Sequence, residues 1–167
     1  MKKLIILLSF CLLITITASA QIIKGNYAIK NVQTGMLLRI KDANTKTGTP
    51  IVAYNPENWK CMTWDFKHVE GNTYQLRNLL SSKTFMPAGK TNEGVTLEEQ
   101  PIDTANYSQQ YQFEPIGKNI YLIKLKGTDL YITPSDGKGS VNSQIILSTR
   151  SGDKLQQWVI YQQSPSI

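Results

Sequence analysis

Tyr54 and Trp59 bracket the stretch YNPENWK, with Asn55 and Glu57 between them. Aromatic faces beside short polar side chains on a turn hold a ligand by stacking and hydrogen bonding rather than by breaking bonds. Residues able to do covalent chemistry are sparser. His68 is the sole histidine. A metal ion wants several His, Cys or carboxylate ligands converging, so no metal site is expected. Cys61 and His68 invite a nucleophile–base reading, but they flank Trp64 in a strand-like stretch, which suits a buried structural thiol. Glu98 and Glu99 are neighbours, and adjacent residues on a strand point to opposite faces; with Asp103 they do not form a carboxylate pair. No glycine-rich phosphate loop is present. Asn106-Tyr107-Ser108 matches a glycosylation sequon, which matters only in a eukaryotic secretory pathway. These residues imply no cofactor and no enzyme.

The chain opens MKKLIILLSFCLLITITASA. Two lysines, an apolar run from Leu4 to Ile16 and the small residues Ala18-Ser19-Ala20 predict a secretory signal peptide over 1–20, cleaved after Ala20. The expected location is secreted or periplasmic. The apolar run is short for a membrane span, so no stable membrane anchor is expected. Cleavage leaves 21–167 as a single domain. Removing Lys2 and Lys3 from 18 basic and 12 acidic residues lowers the net charge from +6 to +4. The remaining Lys and Arg are scattered rather than striped, which argues against nucleic acid as a partner. Cys11 leaves with the leader, so Cys61 stands alone and no internal disulfide can form.

The elements that must position the aromatic loop come from a repeat. YAIKN at Tyr27 returns as YQLRN at Tyr74 and YLIKL at Tyr121, each 47 residues on. Trp64, Tyr111 and Trp158 keep the same spacing, as do Leu38, Phe85 and Ile132. Period-2 alternation within these runs predicts strands. The runs GTPIVAY (48–54), GVTLEEQ (94–100) and NSQIILS (142–148) supply a third strand per unit, with the middle copy shifted by one residue. Gly, Asn, Asp, Ser and Thr fill the gaps as turns. The repeats run over about 24–70, 71–117 and 118–163. The reading is all-β, about twelve strands closed about a pseudo-threefold axis.

Gln156-Gln157-Trp158, Gln109-Gln110-Tyr111 and the degraded Met62-Thr63-Trp64 close the three units. In this pattern the chain resembles the ricin-type (ricin B-like) β-trefoil lectin domains, with degenerate Gln-x-Trp repeats. The resemblance implies a β-trefoil in which Trp64, Tyr111 and Trp158 form a structural core near the axis, braced by the glutamines. It also implies carbohydrate or a glycoconjugate as the partner. The family's usual sugar site combines an aspartate after the second strand, a stacking aromatic and an Asn or Gln near the Gln-x-Trp. Those positions fall on Arg39, Tyr54 and Cys61-Met62 in the first repeat, on Met86, Gln100 and Gln109 in the second, and on Thr133, Ser148 and Gln156 in the third.

No repeat keeps the full set, so non-standard sites are expected. The first repeat is the better one, with Asp42, Tyr54, Asn55 and Trp59 as binding residues. A weaker second site is expected at Asp136, Asn142 and Gln144 in the turn TPSDGKGS and beyond. The alternative function is a protein-interaction or protease-inhibitor module with no sugar binding, which the missing site residues favour.

Overall fold

The computed structural model describes residues 22–166; the leader expected over 1–20 lies outside them. Four strands form in each repeat. The first has β1 (Gly25–Asn31), β2 (Leu37–Ile40), β3 (Ile51–Tyr54) and β4 (Trp64–Glu70). The second has β5 (Thr73–Asn78), β6 (Thr84–Pro87), β7 (Leu97–Gln100) and β8 (Tyr111–Gly117). The third has β9 (Ile120–Leu125), β10 (Tyr131–Pro134), β11 (Ile145–Ser148) and β12 (Gln157–Gln162). One 3-10 turn precedes the last strand of each repeat, and another follows β2.

β1, β4, β5, β8, β9 and β12 pair antiparallel in a ring, each with two neighbours, so the barrel closes and leaves no edge. The hairpins β2–β3, β6–β7 and β10–β11 cover one end. They lean on one another through the bridges Pro50–Glu98, Val52–Gln144 and Thr96–Ile146. The threefold relation reaches single hydrogen bonds. The amides of Asn31, Asn78 and Leu125 donate to the carbonyls of Met36, Lys83 and Leu130 at 2.8, 2.8 and 2.9 Å.

Alternation places Ile29, Leu76 and Ile123 wholly inside. The outward bases are not idle: Arg77 pairs with Asp65 at 2.8 Å and Lys124 with Glu114 at 3.2 Å. Trp64, Tyr111 and Trp158 are fully buried. Each satisfies its one polar hydrogen on a hairpin carbonyl. Trp64 Nε1 donates to Leu38 O at 3.3 Å, Trp158 Nε1 to Ile132 O at 3.2 Å, and Tyr111 Oη to Phe85 O at 3.3 Å.

The glutamines act as staples. Gln156 donates to Thr149 O at 2.7 Å and accepts from Ser151 N at 2.9 Å. Gln109 donates to Pro101 O and accepts from Asp103 N, at 2.9 and 2.8 Å. Met62 cannot do this in the first repeat. Gln163 takes over there, accepting from Thr63 Oγ1 at 2.8 Å and donating to Glu57 O at 3.0 Å.

The loop from β6 to β7 spans 88–96, one residue shorter than 41–50 and 135–144. Glu99 is thereby drawn opposite Phe85, the place Ala53 and Leu147 hold opposite Leu38 and Ile132. It is fully buried; Oε1 accepts from Ser81 Oγ, and Oε2 has no partner among the described residues. Burial raises its carboxyl above the ordinary value, opposed by the Ser81 bond and the Lys83 charge.

Trp158→Ala should cost about 3–5 kcal/mol through the cavity it leaves. Tyr111→Phe should cost about 1 kcal/mol, since it strands one buried carbonyl. Urea unfolding of both variants checks the ratio; a Trp158→Ala protein as stable as wild type would contradict the core assignment.

Candidate functional site

In the first hairpin Leu37 lies opposite Tyr54 and Arg39 opposite Val52. Residues two apart on a strand share a face, so Arg39 and Tyr54 are diagonal neighbours on one side. The Arg39 guanidinium carbon sits 3.9 Å from the centre of the Tyr54 ring and 5.8 Å from that of Trp59. Trp59 is held by the 3-10 turn after it. Its carbonyl accepts from Met62 N at 3.0 Å and from Thr63 Oγ1 at 2.9 Å. The Tyr54 and Trp59 ring centres are 6.5 Å apart and tilted by 36°. Both rings are half-buried, and Asn55 between them is exposed.

Beside this group lies a cavity of about 190 Å³ lined by Arg39, Ala43, Trp59, Lys60, Cys61 and Leu80. Arg39 is only 8% exposed. Its Nε has no hydrogen-bond partner, and no described carboxylate forms an ion pair with it. Tyr54 covers one face of the guanidinium, a contact worth up to about 2 kcal/mol when desolvated; of the three guanidinium nitrogens only Nε is both buried and unpartnered. Burial pushes the Cys61 thiol up, and the adjacent Arg39 pulls it the other way.

Asp42 does not join this group. It lies beyond Ile40, at the end of the hairpin away from Tyr54, in a left-handed conformation (φ 53°). It borders a separate exposed depression with Lys41, Asn44 and Lys46. In the third repeat, Asp136 spends both oxygens on its own loop. Oδ1 accepts from Lys138 N and Gly139 N at 3.0 and 2.6 Å, and Oδ2 from Ser140 N at 3.0 Å. Asn142 (φ 65°) donates its backbone N–H to Ala53 O at 2.8 Å, and Gln144 O accepts from Ser135 N at 2.8 Å. The Asn142 bond ties the third hairpin to the first, and the Ser135–Gln144 bond closes the third hairpin on itself.

Cys61 lies in the 3-10 turn Lys60–Met62 rather than in a strand, and is buried. His68 is exposed on β4, with Nε2 3.0 Å from Gly71 O. The two are not hydrogen-bonded to each other. No group of three metal-ligating side chains occurs among the described residues. Among the same residues no helix is long and apolar enough to cross a membrane.

Two features escape a strand-by-strand reading. One is Arg39, whose contact with Tyr54 depends on hairpin register. The other is a cavity of about 540 Å³ at the barrel end away from the hairpins, walled by Tyr74, Phe113, Tyr121 and Ile23. Ile23 N donates to Tyr74 Oη at 3.0 Å across it. The 47-residue spacing of Tyr74 and Tyr121, two of its walls, is its signal in the sequence.

Burial alone would raise the Asp136 carboxyl, but bonds from Ser140, Lys138 and Gly139 outweigh it and hold it far below the usual carboxylate range. A depressed carboxylate stabilises the fold above its unfolded pKa, near 3.9, and that contribution fades as pH falls further. Asp136→Asn should therefore lower Tm at about pH 6, with the gap to wild type shrinking below about pH 4. A gap constant with pH would contradict the loop-fastening role.

The sequence profile of the ricin-type beta-trefoil lectin domain-like family matches residues 15–100 and again 60–147. A comparison with curated proteins found no match. Among solved structures, the designed threefold-symmetric protein ThreeFoil superposes with a TM-score of 0.78 at 19% identity, over 83% of this chain and 99% of that one. A ricin B-like lectin of Macrolepiota procera, in complex with lactose, gives 0.69 at 20% identity, over 84% and 97%. An exo-beta-1,3-galactanase from Clostridium thermocellum gives 0.76 at 19%, over 81% of this chain but 30% of its own. At these identities the likeness is one of fold. The profile match spans more than half of the sequence, and the closed barrel with its three-hairpin cap agrees with it: the chain belongs to the ricin-type beta-trefoil lectin domain-like family.

Proposed function

We propose that this protein is an exported, non-catalytic carbohydrate-binding module that takes a glycan at its first repeat. The carrying observation is the Tyr54–Trp59 pair beside a cavity. Gln100 and Ser148 stand at the corresponding places in the other repeats and offer no ring. A pyranose would lay its C–H face against the indole, with Asn55 supplying polar contacts. Family membership supports the reading, as does the lactose complex of the Macrolepiota lectin. The likeness to a galactanase is one of fold and covers under a third of that enzyme, so it carries no argument for catalysis here. Export rests on the leader pattern of residues 1–20.

One stacked ring with a few hydrogen bonds to neutral hydroxyls supplies on the order of −4 to −6 kcal/mol, millimolar to tens of micromolar. Multivalent display is therefore the right assay. Residues 21–167 on a glycan array should give hits that free sugar competes away. Tyr54→Ala and Trp59→Ala should each abolish them with the far-ultraviolet spectrum unchanged. A blank array on folded protein would move the function to protein recognition. Protein recovered outside the cytoplasm should begin at Gln21 by N-terminal sequencing; an intact leader would contradict cleavage.

A further inference from the structure

We propose that the first-repeat pocket selects an anionic sugar, its carboxylate or sulfate seated against the Arg39 guanidinium; this rests on reading that repeat as the glycan site. Arg39 occupies the position where the family resemblance places an aspartate, so the charge of the site is inverted. An aspartate accepts from neutral hydroxyls and repels oxyanions; a guanidinium does the reverse.

Three observations converge on this choice. Arg39 is more than nine-tenths buried, its Nε is unpartnered, and no described carboxylate neutralises it. A guanidinium with open donors and no ion-pair partner suits an oxyanion. The cavity it lines carries a second cation, Lys60, and no acid; the remaining wall, Ala43, Trp59, Cys61 and Leu80, is mostly apolar. Finally, Tyr54 stacks on the guanidinium at 3.9 Å. Stacking holds the plane fixed and leaves the hydrogen-bonding fork at its edge, the geometry that matches a carboxylate. Lys41, Asp42 and Lys46 share the separate depression on the adjoining loop and Glu57 does not border the cavity, so the charge at the pocket itself is that of Arg39 and Lys60. Trp59 is left to take the sugar ring.

The test is an array carrying neutral, sialylated, uronate-bearing and sulfated glycans, probed with wild type, Arg39→Gln and Arg39→Lys at about 50 and about 500 mM salt. Wild type should prefer the charged glycans over their neutral parents, and the preference should weaken at the higher salt. Arg39→Gln should lose that binding by about tenfold or more, with Arg39→Lys intermediate. Hits confined to carboxylated glycans would identify a planar anion as the ligand group; hits on sulfated ones a tetrahedral anion. Equal binding of neutral and charged glycans, or a folded Arg39→Gln that binds as wild type does, would overturn this inference and leave glycan binding intact. No glycan bound by folded wild type would overturn both. If Arg39→Gln fails to fold, the wild-type ratio of charged to neutral parent decides alone.

Discussion

A buried ring with one polar hydrogen must find an acceptor, and at the axis of this barrel a hairpin carbonyl supplies it each time. That constraint orients Trp64, Tyr111 and Trp158, and through them ties the last strand of each repeat to its hairpin. The middle repeat meets it with different pieces. Tyrosine is smaller than tryptophan, and its partner Phe85 is larger than Leu38 or Ile132. Phe85 sits 4.7 Å from Tyr111 and 5.1 Å from Trp64, filling the volume the missing indole would have taken. Exchange at near-constant volume is the kind cores tolerate best.

With closure and core handled by the repeat, the loops can differ. The first repeat has given up its staple glutamine for Met62 and its family-type aspartate for Arg39. Gln163 reaches from beyond the last strand to hold the 54–60 loop, and Asn58 adds a bond to Ser164 O at 3.3 Å. The aromatic loop is thus anchored twice, by the 3-10 turn of its own repeat and by residues beyond the last strand. This keeps Trp59 placed while Asn55 to Asn58 stay exposed.

The 47-residue spacing and the alternation around Tyr27, Tyr74 and Tyr121 made the repeat and its strand starts legible, because identical local patterns must solve identical burial problems. What escaped the chain depends on pairing. Arg39 and Tyr54 meet only because β2 and β3 run antiparallel in one particular register. Asp136 has the look of a free acceptor in one dimension; the loop folds three of its own amides onto it. Glu98 and Glu99 face opposite ways, as strand parity demands, but which one enters the core follows from the one-residue-shorter loop before β7. Asp42 and Tyr54 are close in the sequence and at opposite ends of the hairpin.

The three tryptophans give the most direct test, since two belong to the framework and one to the proposed site. In a ¹⁵N-labelled sample the Trp64 and Trp158 indole N–H groups, hydrogen-bonded and buried, should exchange slowly with solvent, and that of half-buried Trp59 quickly. On titration with a glycan that the array identifies, the Trp59 indole resonance should move progressively to saturation while the other two stay fixed. A Trp59 resonance that does not respond at saturating glycan would contradict the first repeat as the binding site.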